Sequence, residues 1–191
     1  FSLEEMQEGL AFARLHRAKM YVTVNVFARN EDLTGLETYL RELESIGVDG
    51  VIVSDPGVWM IARNSKIKLD FHLSTQANTT NWAGARFWEE QGFKRIILAR
   101  ELSLDEIKEI RRHVKSELEI FVHGAMCISY SGRCLLSNYM TGRDANRGEC
   151  AQPCRWKYAL LEEKRPGKYY PVEEDERGAY VFNSQDLCLL P

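Results

Sequence analysis

Short β-rich runs alternate with amphipathic helical stretches along residues 1–123, and this alternation constrains the fold more than any other feature of the chain. Residues 33–47 place their apolar side chains on one stripe, as an amphipathic helix does. Ser2 with Glu5, and Ser103 with Glu106, have the spacing of a capping box and predict two helix starts. Strands and helices in alternation predict consecutive βα units around a parallel sheet. The β-rich runs lie at residues 21–28, 50–55, 71–75, 94–99 and 118–123.

Polar residues follow most of these predicted strands, and they discriminate between two α/β layouts. A (β/α)8 barrel holds its ligands at the carboxyl ends of many successive strands, whereas a doubly wound sheet concentrates them at one switch point. The G-x-G-x-x-G motif of dinucleotide-binding sheets is absent from the sequence. We therefore predict an α/β protein with a (β/α)8, TIM-barrel-like fold. The polar residues expected at the mouth of the barrel are Asn25, Asp55, Gln76, Asn78, Arg100, Glu101 and His123.

The predicted strands are too few to close a barrel, which usually has about 250 residues. The chain begins without Met at a helix cap and ends soon after the apolar run LCLLP. We expect a fragment that lacks an opening βα unit and the closing strands. Residues 1–123 then supply βα units and residues 124–158 a cysteine-rich segment. Residues 159–191 are expected to be an acidic extension that leads to a further barrel strand.

The overall composition is that of a mixed globular protein, with 45% hydrophobic residues, 28% charged residues and a formal net charge of -3. No apolar run approaches the length of a membrane-spanning helix, and the sequence does not open with a signal peptide. We therefore expect a cytoplasmic protein without a membrane partner.

Cysteines are concentrated in one short segment. Cys127, Cys134, Cys150 and Cys154 lie close together, whereas Cys188 stands apart. Such a group forms a disulfide framework, a zinc site or an iron–sulfur cluster. Disulfides are disfavoured because the count of five is odd and disulfide-built domains are usually smaller and richer in cysteine. Four unrelated buried cysteines are a poor explanation too, since the Gly, Ser, Asn and Asp around them are typical of loops.

The same segment is basic and aromatic. Residues 127–158 contain five basic residues against two acidic ones, together with three tyrosines and Trp156. Arginines interleaved with aromatic residues bind phosphates and stack on unpaired bases, so RNA is a candidate partner. A solvated charged surface around a structural site explains the composition equally well. A further alternative is that Arg133 and Arg155 neutralise a thiolate site. The residues predicted to hold RNA are Arg143, Arg147, Arg155 and Trp156.

The run HGAMCISYSGRCLLSNYMTGRDANRGECAQPCRWKY resembles the signature of the collagenase-like peptidases of family U32. That signature is a Gly-small-apolar-Cys followed by Ser-Gly-Arg-Cys and then Ser. The resemblance extends to LSTQAN at 73–78, to ARELSLDEI at 99–107, and to the downstream runs PVEEDERG and FNSQDL. It therefore covers nearly the whole chain. The family's N-terminal opening and a glycine-containing segment expected after Pro191 are missing.

The resemblance implies a barrel protein that uses a [4Fe–4S] cluster in oxygen-independent hydroxylation. Family members are expected to act on a tRNA wobble uridine, on ribosomal RNA or on a quinone precursor. The chain is most similar to the branch that forms 5-hydroxyuridine in tRNA, for which a prephenate-like carboxylate is the implied co-substrate. The implied cluster ligands are Cys127, Cys134, Cys150 and Cys154, with Cys188 as an alternative ligand. Zinc is the alternative metal, because thiolate-only sites suit both, although the spacing lacks the paired C-x-x-C of a zinc ribbon.

Roles at the mouth are predicted from side-chain chemistry. Arg100 is able to clamp a carboxylate such as that of prephenate with two hydrogen bonds, or else forms a salt bridge with Glu101 or a neighbouring strand. The catalytic candidates are Gln76, Arg100, Glu101 and His123.

Two other functions remain open. The peptidase label is supported by neither H-E-x-x-H nor G-x-S-x-G, and a Cys127–His123 nucleophile pair would leave the other cysteines unexplained. A non-catalytic RNA-binding module whose metal only folds a loop is the third possibility.

Overall fold

A five-stranded parallel sheet forms the centre of the computed structural model, which describes residues 1–123, 127, 129–130, 133–161, 164, 166–174 and 180–182. Four of the predicted β-rich runs each contain one strand, and β5 begins one residue before the fifth run and overlaps its first two residues. The prediction of an α/β protein with a parallel sheet is therefore confirmed. The strands are β1 (Tyr21–Val24), β2 (Gly50–Val53), β3 (Phe71–Leu73), β4 (Arg95–Ile97) and β5 (Glu117–Glu119).

The strands lie in the order β1-β2-β3-β4-β5, so each one pairs with the next strand along the chain. All four pairings are parallel, with Val51 opposite Phe71 and Leu73 opposite Ile96. A doubly wound sheet requires a reversal of strand order at a switch point. These five strands show no reversal, and the doubly wound alternative does not describe them.

Helices connect the strands, and most begin at a side-chain cap. Ser2 with Glu5 and Ser103 with Glu106 form complete capping boxes, as predicted from their spacing. Asn81 caps the helix that follows β3, where its Oδ1 accepts a hydrogen bond from the Gly84 amide. The helices of this part are α1 (Leu3–Leu15), α2 (Leu36–Ile46), α3 (Pro56–Asn64), α4 (Trp82–Glu90) and α5 (Leu104–His113).

The hydrophobic core lies on one face of the sheet. Helices α2 to α5 contribute buried residues to the same cluster, among them Leu40, Leu43 and Ile110. They pack against alternate strand residues such as Val51 and Leu73, which are fully buried. Because side chains alternate between the two faces of a strand, these contacts place α2, α3, α4 and α5 on a single side of the sheet.

The opposite face carries mixed and polar side chains. Tyr21, His72, Arg95 and Glu117 lie on neighbouring strands there, and the Tyr21 and His72 rings are 4.7 Å apart. Arg95 on β4 donates hydrogen bonds to Glu117 Oε2 on β5, and its guanidinium carbon lies 5.5 Å from the centre of the Tyr21 ring on β1. Burial is the main cause that lowers the pKa of His72, with the Arg95 charge adding to it, and His72 is packed inside the protein with only 4% of its surface exposed.

Beyond β5 the βα rhythm ends. The cysteine-rich segment contains α6 (Leu136–Thr141) and two short 3₁₀ helices, Ala145–Arg147 and Pro153–Arg155. After it, β6 (Ala159–Leu161), β7 (Tyr169–Glu174) and β8 (Tyr180–Phe182) form an antiparallel sheet. The sequence analysis did not anticipate this second sheet. The further barrel strand predicted for the C-terminal extension, and Cys188, lie outside the described residues.

Among the described residues, none of the helices has both the length and the apolar character that crossing a bilayer requires.

Candidate functional site

The carboxyl ends of β1, β2 and β3 are joined by a small hydrogen-bond network. Asn25 Nδ2 donates to Ser74 Oγ at 3.0 Å, and Ser54 Oγ donates to the Asn25 carbonyl at 3.0 Å. Ser74 Oγ also accepts the backbone N–H of Gln76 at 3.2 Å. Ser54 and Ser74 are buried. Asn25 is therefore held at this edge, as predicted, but its side chain serves to link two strands.

The loop after β3 carries buried polar atoms that have no hydrogen-bond partner among the described residues. Gln76 Oε1 and Thr79 Oγ1 are both buried, and no described residue forms a hydrogen bond with either atom. Asn78 adopts the left-handed conformation, with φ of 51°. Buried unsatisfied atoms and left-handed residues other than Gly cost free energy, and they are concentrated at functional sites. The predicted residues Gln76 and Asn78 thus lie in a loop with the features of a binding site.

The ends of β4 and β5 lie beside this loop. Thr75 Oγ1 donates to the Leu98 carbonyl at 3.2 Å, and the Ala99 N–H donates to the Thr79 carbonyl at 3.1 Å. Arg100 follows β4, and its guanidinium carbon lies 5.4 Å from the centre of the Phe121 ring, which follows β5. The predicted residue Arg100 is therefore at the same edge as Gln76.

Glu101 and His123 also follow β4 and β5, at the edge where they were predicted, and both are exposed. Within the described part of the chain, no hydrogen bond joins His123 to Cys127 or Glu101 to Arg100. Glu101 and His123 thus both lie at this edge, but within the described residues neither is hydrogen-bonded to the partner considered for it.

Asp55 has a structural function that the sequence analysis did not assign to it. Its Oδ1 accepts hydrogen bonds from the amides of Gly57 at 2.7 Å and Val58 at 3.0 Å, so the side chain caps α3. An aspartate at the N-cap satisfies amides that have no partner within the helix. The carboxylate of Asp55 therefore stabilises the start of a helix, and its role as a substrate ligand stays a prediction.

The cysteine-rich segment docks on the loop that follows β1. Arg147 forms a bidentate ion pair with Asp32, with Nη1–Oδ2 and Nη2–Oδ1 distances of 2.6 and 2.7 Å. The Phe27 N–H donates to the Asn146 carbonyl at 3.1 Å, and Arg29 lies 3.8 Å from Asp144. The hydrogen bonds from Arg147 and from the backbone of Arg29 lower the pKa of Asp32 to about 2. This pair ties the segment to the carboxyl edge of the sheet.

Two of the residues predicted to hold RNA thus have defined partners in the protein. Arg147 is paired with Asp32, and its role as a phosphate ligand stays a prediction. Arg155 donates to Gln152 Oε1 at 2.8 Å and is exposed. Arg143 is exposed, and Trp156 keeps 48% of its surface accessible while lying 6.4 Å from the Tyr158 ring. Arg143, Arg155 and Trp156 are therefore positioned on a surface that a partner can reach.

Asn146 positions the backbone of one cysteine from both sides. Its Oδ1 accepts the Cys134 N–H at 3.0 Å, and its Nδ2 donates to the Cys134 carbonyl at 3.1 Å. Its own N–H donates to Asp144 Oδ1 at 2.9 Å. Cys134 is buried, so these contacts satisfy polar groups that water does not reach.

The four described cysteines have the chemistry of a soft metal site. Cys127, Cys134, Cys150 and Cys154 are all free thiols, which argues against a disulfide framework. The Gln152 N–H points at Cys150 Sγ at 3.4 Å, the type of contact that tunes a metal-bound thiolate. Gln152 itself is left-handed, with φ of 56°, between two of the cysteines. The donor set therefore fits a thiolate-ligated metal, although no three Cys, His, Asp or Glu residues among those described are arranged as a metal site.

Several residues of this site were missed by sequence reasoning. Ser54, Asp32, Asn146 and Phe121 all make contacts that define the edge or the docked segment. Ser54 and Phe121 lie in or directly after predicted strands, so a stricter reading of the strand ends would have included them. Asp32 and Asn146 carried no local signal, because their partners are distant in sequence or lie across a loop.

Residues 1–191 match the family described as Peptidase family U32. The chain is 51% identical over 190 residues to "tRNA hydroxylation protein P1" of Bacillus subtilis (strain 168), covering 100% of this chain and 45% of that protein. It is 40% identical over 230 residues to "tRNA hydroxylation protein P" of Escherichia coli (strain K12), covering 98% of this chain and 50% of that protein. The chain thus spans about half the length of these relatives.

A more distant relative and one solved structure extend this picture. The chain is 37% identical over 163 residues to "23S rRNA 5-hydroxycytidine C2501 synthase" of Escherichia coli (strain K12), covering 85% of this chain and 24% of that protein. The solved structure "The Structure of the U32 Peptidase Mk0906" superposes with a TM-score of 0.54 at 21% identity, over 62% of this chain and 51% of the other. That similarity shows a shared fold.

Proposed function

We propose that this chain, which belongs to peptidase family U32, is part of an enzyme that hydroxylates RNA without using molecular oxygen. The proposed substrate is the wobble uridine of a tRNA, and the product is 5-hydroxyuridine. Conversion of C5–H to C5–OH is a two-electron oxidation, so it requires a co-substrate that is reduced by two electrons, either because it donates the oxygen atom or because it accepts the electrons while water supplies the oxygen. A prephenate-like carboxylate is the proposed co-substrate, and the cytoplasm, where tRNA is found, is the proposed compartment.

The observation that carries this proposal is that relatives named for RNA hydroxylation match the part of the chain that contains the candidate site. Two relatives that cover at least 98% of this chain are named as tRNA hydroxylation proteins, and a third is named for rRNA 5-hydroxycytidine synthesis. The matched region includes both the carboxyl edge of the sheet, with its polar residues, and the cysteine-rich segment that docks on the loop after β1. An RNA base and a small carboxylate would therefore meet next to the thiols.

The fold of the whole protein is proposed to be a (β/α)8 barrel. Strands in sequential order with helices on one face are what an arc of such a barrel requires. The polar inner face at Tyr21, His72 and Arg95 would then line the interior.

The thiols of Cys127, Cys134, Cys150 and Cys154 are proposed to hold a [4Fe–4S] cluster, with Cys188 as the alternative ligand and zinc as the alternative metal. A bound cluster would supply one-electron redox chemistry, at a potential set by its charge and by hydrogen bonds to its sulfurs. The protein's own contribution is to seat the thiols, through Asn146 at Cys134 and the Gln152 N–H at Cys150.

Metal analysis of anaerobically purified protein tests this centre. We expect iron and sulfide in equal amounts, with both lost in Cys134→Ser. Stoichiometric zinc without iron would reject the cluster and favour a structural metal.

Arg100 is proposed to bind the carboxylate of the co-substrate, and Gln76, Glu101 and His123 to complete the reacting site. Arginine suits this role because its planar group pairs with a carboxylate through two parallel hydrogen bonds. Calorimetry with prephenate tests it: Arg100→Ala should abolish binding, whereas Arg86→Ala on the outer surface should not. Unchanged binding in Arg100→Ala would reject the assignment.

Mass spectrometry of tRNA nucleosides from a strain without this gene tests the reaction itself. The 5-oxygenated wobble uridines should disappear and return when the gene is restored. If they persist unchanged, ribosomal RNA and a quinone precursor become the substrates to examine. RNA binding without any modified product would instead indicate a non-catalytic binding module.

A peptidase is the second candidate function, favoured by the family description and by the solved structure described as a U32 peptidase. Incubation with gelatin, comparing the wild type with Cys127→Ala and His123→Ala, separates the two. Cleavage that survives metal removal and is lost in either variant would favour the peptidase.

A further inference from the structure

An aromatic ring is exposed at the edge formed by the ends of β3, β4 and β5. Phe121 is 58% exposed, directly after β5. The Arg100 guanidinium lies over its ring at 5.4 Å, the distance of a cation–π contact. An exposed ring backed by a cation is the arrangement on which an unpaired base stacks in proteins that bind single-stranded RNA.

The loop after β3 contains a carboxamide whose oxygen has no hydrogen-bond partner among the described residues. Gln76 Oε1 is buried, and within the described residues it accepts no hydrogen bond. Thr79 is only 4% exposed, and its Oγ1 is unsatisfied in the same sense. A buried oxygen without a partner is costly, and the cost is removed when a ligand supplies the missing donor. Two such atoms in one loop therefore point to a ligand with polar groups on a flat edge.

Hydrogen bonds connect the loop that carries the carboxamide to the strand end that carries the ring. Thr75 Oγ1 and the Thr79 carbonyl are hydrogen-bonded to the segment that follows β4, at Leu98 and Ala99. The Leu98 N–H donates to the Glu119 carbonyl, two residues before Phe121. Neighbouring strands are about 5 Å apart, so the loops after β3 and β5 are separated by about 10 Å.

We propose that this surface recognises one unpaired pyrimidine base, which stacks on Phe121 and presents its hydrogen-bonding edge to Gln76 and Thr79. A carboxamide offers one acceptor and one donor, and a uracil edge offers the N3–H donor and a carbonyl acceptor. Gln76 then determines specificity and does not transfer protons. The inference rests on the proposed function and names the part of the RNA that enters the site.

Binding of three RNAs to the anaerobically purified full-length protein tests the inference by fluorescence anisotropy. The probes are one tRNA anticodon stem-loop and two copies in which the wobble uridine is abasic or 3-methyluridine. The wild type should bind the abasic RNA about tenfold more weakly, in line with the loss of one base–aromatic stack. Methylation of N3 removes the donor and should also weaken binding.

Two variants assign these losses to their residues. Phe121→Leu should bind the abasic RNA as tightly as it binds the unmodified RNA. Gln76→Leu should bind the 3-methyluridine RNA as tightly as it binds the unmodified RNA. The matched controls are Phe87→Leu, at a ring 54% exposed on the outer helices, and Gln91→Leu, at a carboxamide that accepts from Arg63. Both controls should keep both penalties. The melting temperature of Gln76→Leu should be unchanged or higher, because replacing an unsatisfied polar group with an apolar one is neutral or stabilising.

The outcomes separate this inference from the function on which it rests. Equal binding of all three RNAs by the wild type, or penalties that persist in both variants, would overturn base recognition and leave RNA hydroxylation standing. A clear fall in the melting temperature of Gln76→Leu would show that its oxygen is satisfied within the protein and would overturn the role of Gln76. Failure to bind any RNA would reject the RNA substrate and the base site together.

Discussion

Replacing Asn146 by alanine should loosen the protein around Cys134 without disturbing the rest of the sheet. Asn146 makes two side-chain hydrogen bonds to the Cys134 backbone, at 3.0 and 3.1 Å, and Cys134 is buried. Each hydrogen bond contributes about 0.5–1.5 kcal/mol net, so Asn146→Ala should lower the free energy of local opening by about 1–3 kcal/mol. A change of that size corresponds to roughly a 5- to 150-fold increase in the population of the open state.

The rate of thiol alkylation reports this opening directly. Metal-free protein is treated with iodoacetamide under anaerobic conditions, and the peptide that contains Cys134 is followed by mass spectrometry. A buried thiol reacts only from the open state, so the labelling rate of Cys134 should rise by the factor given above. Cys150 is exposed and serves as the internal reference, because its rate should stay unchanged.

The matched control is Asn138→Ala, since Asn138 is an exposed asparagine on α6 in the same segment. It should leave the labelling of Cys134 unaltered. The reasoning is refuted if Asn146→Ala labels Cys134 no faster than the wild type does, or if Asn138→Ala accelerates it equally. In metal-loaded protein, Asn146→Ala should also lose metal to a chelator faster.

Two further predictions concern pH and the core. The pKa of Asp32 is lowered from 3.8 to about 2. Its ion pair with Arg147 therefore stabilises the protein fully when the pH is above the ordinary pKa of 3.8, and this stabilisation is lost as the pH falls through the lowered pKa of about 2. Wild type should therefore melt above Asp32→Asn near neutral pH, and the gap should close between about pH 4 and pH 2; a gap that is constant over this range would contradict the assignment. Phe93 is 2% exposed and contacts Trp59 and Trp88. Phe93→Ala should therefore lower the free energy of unfolding, measured with urea, by about 3–5 kcal/mol. The exposed control Phe87→Ala should cost less than about 0.5 kcal/mol, and equal costs would show that Phe93 isn't a core residue.

The sequence alone was sufficient for those parts of the structure that depend on local patterns. The two capping boxes and the first four strands were predicted at their observed positions, and the fifth strand was predicted a few residues too late in the chain. A cap needs only residues three apart, and a strand needs only a short β-rich run. The positions of Gln76, Arg100 and His123 at one edge followed from the parallel order, since parallel strands end on the same side. The antiparallel sheet of β6, β7 and β8 was missed, because the charged residues at 162–165 and 175–177 lie between its short strands and gave no clear strand period.

Only the tertiary structure decided which partner each polar side chain has. Arg147 was expected to bind phosphate, yet it pairs with Asp32, 115 residues away along the chain. Asp55 was expected to bind a ligand, yet the start of α3 brings two unsatisfied amides within reach of its carboxylate. A charged or amide side chain has the same intrinsic chemistry at every position, so its role depends on which groups the fold brings within hydrogen-bonding distance and on how far water is excluded there. Neighbouring residues determine where a helix starts, whereas the contacts of Asp32, Asn146 and Phe121 form only when the fold brings separate segments together.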